Sequence, residues 1–175
     1  MTNAELAILG LVAEQSRHGY EIEQVIEERG MREWTELGFS SIYYLLKKLE
    51  KKGWIAGEVE EGGRGPARKV YHTTPAGSEA LRGAVLEALS TPDRCYPSLQ
   101  LGLANLPGQP STHVLGALRQ YRDALVERLA HVEERREARR PLPLHVGAMF
   151  DYSLTMVRAE LAWIERFIAE IETGS

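Results

Sequence analysis

Apolar side chains recur every three or four positions through most of this sequence, and the pattern gives way to a different one between residues 54 and 74. The regular spacing predicts helices, one face of each turned inward. Leu6, Ile8, Leu9, Leu11 and Val12 make a first helix up to Gln15, with Asn3 as its expected N-cap. After a turn at Ser16-Arg17-His18-Gly19, Tyr20 opens a second helix in which Ile22, Val25 and Ile26 face inward and glutamates face water. Segment 30–38 links it to a third helix over 40–52, in which Ile42, Leu45, Leu46 and Leu49 form the apolar face. Ser40, Ser41, Tyr44, Lys47, Lys48, Lys51 and Lys52 fall largely on the opposite side. Ser40 suits the N-cap of this helix and Gly53 its left-handed stop.

Where the helical interval breaks, Trp54, Ile55, Val59, Val70, Tyr71, Thr73 and Thr74 predict two strands around a Gly62-Gly63-Arg64-Gly65-Pro66 tip. Thr74-Pro75 then supplies a cap and first position for a helix whose expected core face is Ala80, Leu81, Val85, Leu86 and Leu89. A domain boundary is expected near Pro92, dividing the chain into 1–91 and 92–175. Beyond it lie a short helix within 95–106 and two long helices, about 111–140 and 144–172. In the last of these, Phe150, Leu154, Val157, Leu161, Ile164, Ile168 and Ile171 alternate four-three spacing, the seam of a coiled coil. Met149, Met156 and Trp163 repeat every seven residues beside that seam. Two adjacent stripes need more than one partner: helix 111–140 is one, and a second subunit is the other. The seam residues Phe150, Leu154, Val157, Leu161, Ile164 and Ile168 are assigned to dimerisation. In the alternative reading, Met149, Met156 and Trp163 fill a core against segment 98–106.

Charge alters the picture locally. The chain carries a formal net charge of −4, yet all five lysines lie between residues 39 and 74, with Arg64 and Arg68. Seven basic residues against four glutamates make that window +3, while residues 1–38 stand at −5. A basic, hydroxyl-bearing helix followed by a hairpin with an arginine at its tip is the layout of a winged helix-turn-helix reader of DNA. Taken alone, the lysines are also what a solvated helix face carries; the hairpin behind them favours phosphate. The predicted fold is thus mainly α with a small β wing, an N-terminal winged helix-turn-helix followed by an antiparallel helical, coiled-coil dimerisation domain.

Composition excludes other classes. At 175 residues and 43% hydrophobic, the chain can bury a core and is neither disordered nor of low complexity. It opens without a basic leader and holds no apolar run of membrane length, so a cytoplasmic location is expected. Its one cysteine, Cys95, agrees with a reducing compartment. No enzyme is expected. The Gly62–Gly65 glycines lack the Lys-Ser/Thr of a phosphate loop and precede a strand, and the five histidines show no metal spacing. Neither metal nor cofactor is expected.

Several of these stretches resemble the PadR family of bacterial transcriptional regulators. They are Leu6-Ala7-Ile8-Leu9-Gly10-Leu11, His18-Gly19-Tyr20-Glu21-Ile22, residues 42–53 from Ile42 to Gly53, Gly65-Pro66-Ala67-Arg68-Lys69-Val70-Tyr71 and Thr74-Pro75-Ala76-Gly77. Together they span most of residues 4–82. Tyr44 stands where the family commonly has proline, and Thr73 where leucine is usual. The resemblance implies a homodimeric repressor that leaves its operator when a small molecule or stress signal arrives. Expected DNA contacts, on a site of two-fold symmetry, are Tyr20, Ser40, Ser41, Tyr44, Lys47, Lys48, Arg64 and Arg68; Tyr43 either packs or also meets phosphate. Trp34, Met149, Met156 and Trp163 are surplus apolar residues for an aromatic or apolar effector where the winged domain meets the last helix, or else ordinary core. Two other readings remain: a winged helix for protein contacts without DNA, and a regulator switched by oxidation of Cys95.

Overall fold

The computed structural model describes residues 1–35, 37, 38, 42–60, 68–92, 94 and 96–174. The chain forms two compact units, Met1–Arg94 and Cys95–Ser175.

In the first unit, helix α1 (Asn3–Glu14) starts from Thr2, not Asn3. The Thr2 hydroxyl accepts the Glu5 backbone N–H at 3.2 Å and Glu5 Oε2 accepts the Thr2 backbone N–H at 3.0 Å, a reciprocal capping box. The expected turn at 16–19 contains a two-residue strand β1 (Arg17–His18), which pairs antiparallel with β3. Two residues are too few to show the alternation by which strands are recognised. Helix α2 (Gly19–Glu28) buries Ile22 and Ile26, and a 3₁₀ turn (Met31–Glu33) in the linker buries Met31. Helix α3 (Ile42–Lys51) buries Ile42, Leu45, Leu46 and Leu49, the face expected of it. It ends at Gly53, φ +69°, where the Gly53 N–H reaches Glu50 O at 2.9 Å and the Trp54 N–H reaches Leu49 O at 3.1 Å. That is a Schellman stop, which requires the left-handed residue. The expected cap Ser40 lies outside the described residues.

Strands β2 (Ile55–Glu60) and β3 (Arg68–Thr73) pair antiparallel, Ile55 opposite Thr73 and Glu60 opposite Arg68, in a sheet of order β1-β3-β2. Helix α4 (Pro75–Ser90) is capped by Thr74, whose hydroxyl accepts the Gly77 N–H at 3.0 Å and donates to Gly53 O at 2.6 Å. One side chain thus ties the start of α4 to the end of α3. Gly77 is buried, and a Cβ there would stand 1.8 Å from Trp54 O. The expected inward face of α4 is only partly realised. Leu81 packs on the core, whereas Val85, Leu86 and Leu89 are exposed, since periodicity marks an apolar stripe but not what covers it.

The second unit holds α5 (Ser98–Ala104), α6 (Ser111–Ala138) and α7 (Leu144–Gly174). Helices α6 and α7 run antiparallel: Arg119 meets Glu172 and Arg158 meets Glu133, both at 2.6 Å. Val157, Ile164 and Ile168 are buried together with Leu118 and Leu125 of α6, and Leu161 packs on the same cluster. Leu154 is also buried and Phe150 is half-buried. The seam assigned to dimerisation is therefore consumed inside the chain, because an antiparallel hairpin brings α6 onto it first. Tyr121 of α6 donates to Glu160 at 2.5 Å; that hydrogen bond, with burial, pushes the phenol up to about 12.

Gly77→Ala should destabilise the first unit by roughly 1–3 kcal/mol, the usual range for overpacking against a fixed group. Chemical denaturation measures this, and Gly83→Ala, where an added Cβ meets nothing, is the control.

Candidate nucleic-acid interface

Helix α3 divides cleanly because a ten-residue helix with apolar positions at 42, 45, 46 and 49 can bury only one side. On the other side Tyr43 and Tyr44 are 59% and 66% exposed, and Lys47 is exposed beside them. Tyr43 packs on Gly19: a Cβ there would meet the Tyr43 ring at 2.7 Å. This close approach seats the first turn of α3 against the start of α2. Tyr43 thus both packs and remains accessible.

Next to that contact the Tyr20 ring stacks on His18, centroids 5.4 Å apart at 11°, and Arg68 of β3 lies 5.6 Å from the Tyr20 ring. His18 Nδ1 is 3.3 Å from Lys69 O, which fixes the imidazole to β3. Tyr20, Tyr43 and Arg68, from three separate stretches, are gathered where β1 and α2 meet. His18 and Gly19, read from sequence as a turn and as part of a stretch carrying the family resemblance, position them. Aromatic and guanidinium groups around a partly exposed helix start suit the sugar-phosphate backbone of DNA.

The lysines are not equivalent. Glu5 of α1, only 1% exposed, is 3.0 Å from Lys48 Nζ and 2.6 Å from Lys52 Nζ. Lys52 also lies 4.4 Å from the Trp54 ring. Lys69 bridges Glu50 at 2.7 Å, crossing over Gly57, where a side chain would strike it. Among the described residues, Lys47 and Lys51 have no ion-pair partner. Burial alone would push the Glu5 carboxyl up. The hydrogen bonds from Lys52, the Thr2 backbone and Lys48 outweigh it and hold the group at about 2. Lys48 is correspondingly raised by its hydrogen bond to Glu5. Glu5 is the interface-proximal residue that sequence reading missed. The Thr2-x-x-Glu5 signature marks it as a capping residue, but pairing across more than forty positions has no sequence signal.

Ser40, Ser41 and Arg64 lie outside the described residues, as does Cys95. Trp34 is 52% exposed beyond the 3₁₀ turn. In the second unit Trp163 stacks on Phe167 at 5.2 Å and packs on the α6–α7 core, whereas Met149 and Met156 are 41% and 53% exposed. A cleft of about 270 Å³ in this unit is lined by Glu133, Arg136, Glu137, Leu154 and Arg158 and by none of the four candidate effector residues. Among the described residues no group of histidine, cysteine or carboxylate side chains could hold a metal, and no helix is long and apolar enough to cross a membrane.

A helix pair, a half-buried third helix and a strand hairpin behind it define a winged helix-turn-helix. The model of the transcriptional regulator PadR-like family matches residues 8–83. An uncharacterised protein of Lysinibacillus sphaericus is 36% identical over 83 residues, 46% of this chain and 72% of that protein. The fold extends over nearly the whole chain in Bacillus subtilis PadR in complex with operator DNA, TM-score 0.78, 20% identical, covering 95% of this chain and 98% of that one. Bacillus subtilis PadR in complex with p-coumaric acid gives 0.79 at 19% identity, over 96% and 98%. The PadR-like regulator BC1756 from Bacillus cereus gives 0.72 at 19%, over 99% and 100%. The chain belongs to the PadR-like family of transcriptional regulators, not to a family of enzymes.

Because the folded pKa of Glu5 lies below that of an unfolded glutamate, its contribution to stability is present above about pH 4.5 and is lost as pH falls toward 2. Glu5→Gln should flatten the acid limb of the stability curve over that window. Urea midpoints at pH 6 and pH 3 measure it.

Proposed function

We propose that the chain is a cytoplasmic, homodimeric repressor that binds a two-fold symmetric DNA site and releases it when a small aromatic or apolar molecule binds. The observation that carries this reading is α3: its buried side is locked to α1, and its free side presents Tyr43, Tyr44 and Lys47. Residues 1–91 form the reading domain and 92–175 the dimerisation domain. Tyr44 and Lys47, with Ser40 and Ser41 ahead of them, meet base edges and flanking phosphates. Tyr20, Tyr43 and Arg68 hold the backbone, and Arg64 at the wing tip reaches the minor groove. The Bacillus subtilis relative, described with operator DNA and with p-coumaric acid, supports both halves of the reading.

Since the α7 seam is taken by α6, the second copy docks on the stripe beside it, where Met149, Tyr152 and Met156 are exposed. Burying these thioethers and the phenol ring against their symmetry mates contributes to association roughly in proportion to apolar area. Met149, Met156 and Trp163 of the second unit are the proposed effector contacts, methionine adapting to flat ligands. A ligand that prefers a dimer with misplaced reading helices weakens DNA binding by the same factor that DNA weakens ligand binding.

If each subunit neutralises about three to five phosphates, the dimer should show a log-log salt slope of roughly −5 to −9 on a symmetric site. Lys47→Glu should lower operator affinity by on the order of a hundred-fold or more without changing thermal stability. Binding isotherms across salt concentrations decide it, and unchanged affinity would remove α3 as the reading helix.

Met149→Asp with Met156→Asp should yield a folded monomer in sedimentation, whereas Ile164→Asp, placing a charge in the α6–α7 core, should cost more than about 4 kcal/mol and unfold the second unit. Tryptophan quenching by planar aromatic acids in wild type, lost in Trp163→Ala, tests the effector contacts.

A further inference from the structure

Within the proposed DNA reading, on which this inference rests, the basic residues of the first unit are not all available to phosphate. Lys48 on α3 and Lys52 just past its end converge on Glu5, a carboxylate that is almost wholly buried while both lysine side chains stay about a third exposed. Glu5 has little freedom to leave. Its other oxygen accepts the Thr2 backbone N–H at 3.0 Å, and the start of α1, with its positive dipole end, favours the negative charge. The lysines, by contrast, are flexible and reach it from the rim of the reading face. On the hairpin, Lys69 is held in the same way by Glu50. Only Lys47 and Lys51, among the described lysines, stand without a carboxylate.

We infer that Glu5 is a specificity-determining residue, a fixed internal counter-ion that withholds Lys48 and Lys52 from DNA phosphates and so limits sequence-independent binding. Phosphate contacts raise affinity for every sequence alike, while base contacts discriminate. A reading helix with four free lysines would bind all DNA more tightly and distinguish its operator less. Glu5 engages two of them and cancels one of their two charges, from a carboxylate that is itself buried. The operator then depends more on Tyr44, Lys47 and the groups around the helix start.

The experiment measures salt slopes of Lys47→Gln, Lys48→Gln, Lys52→Gln and Glu5→Gln on operator and on random duplex DNA. Glutamine at position 5 keeps the capping hydrogen bond, so the fold should survive. Each phosphate contact changes the slope by about 0.9, or about 1.8 per dimer. Lys47→Gln should lose that amount, while Lys48→Gln and Lys52→Gln should leave the slope near wild type. Glu5→Gln should steepen it and raise random-DNA affinity at least about ten-fold, more than operator affinity, and Glu5→Gln combined with Lys48→Gln and Lys52→Gln should restore the wild-type slope. Lys48→Gln losing as much slope as Lys47→Gln, or a folded Glu5→Gln with unchanged slope, would overturn the inference. If Glu5→Gln fails to fold, the lysine variants decide alone. If no variant binds DNA and wild type does not either, the DNA reading itself falls, an outcome distinct from the two above.

Discussion

The first unit depends on one constraint: α3 must bury Ile42, Leu45, Leu46 and Leu49 against α1 and α2 while leaving its other side in water. Three of these four are 1% exposed or less, and each buried aliphatic side chain contributes about 1.5–3 kcal/mol. The exposed side chains of α3 are placed by that burial. Rotation of α3 would expose the leucines, so the orientation of Tyr43, Tyr44 and Lys47 is set from the inside. The Schellman stop at Gly53 and the Thr74 hydroxyl then fix where the hairpin leaves and where α4 begins.

Electrostatics works against a simple charge count here. The window 39–74 is basic in sequence, but three of its five lysines are held in ion pairs inside the unit, Lys48 and Lys52 by Glu5 and Lys69 by Glu50. Glu5 illustrates how a buried carboxylate is tolerated. Burial opposes its charge, and two ammonium groups and a backbone N–H compensate. The partners remain partly hydrated, which keeps the cost of desolvating the pair low.

The second unit uses a different device. Its α6–α7 hairpin closes on a four-three seam, and pairs such as Arg119–Glu172 and Tyr121–Glu160 fix the register along the outside of the contact. Among the apolar side chains that remain exposed, Met149, Tyr152 and Met156 share one stripe of α7 that a single copy does not cover. Oligomerisation is the ordinary use of such a stripe.

Helix identity, the apolar faces of α1 to α3, the Gly53 stop, the Thr74 cap and the strand hairpin were all legible in the sequence, because each rests on local chemistry within a few residues. Family membership was legible for the same reason, being carried by short ordered stretches between Leu6 and Gly77. Tertiary structure alone decided which residue completes each contact across long separations. The β1–β3 pairing, the seat of Tyr43 on Gly19, the approach of Arg68 to Tyr20 and the capture of Lys48 and Lys52 by Glu5 join positions with no periodic relation. Periodicity reports that a face is apolar, not which neighbour reaches it first. For that reason Val85, Leu86 and Leu89 are exposed where a core was expected, and the seam of α7 is filled by its own chain.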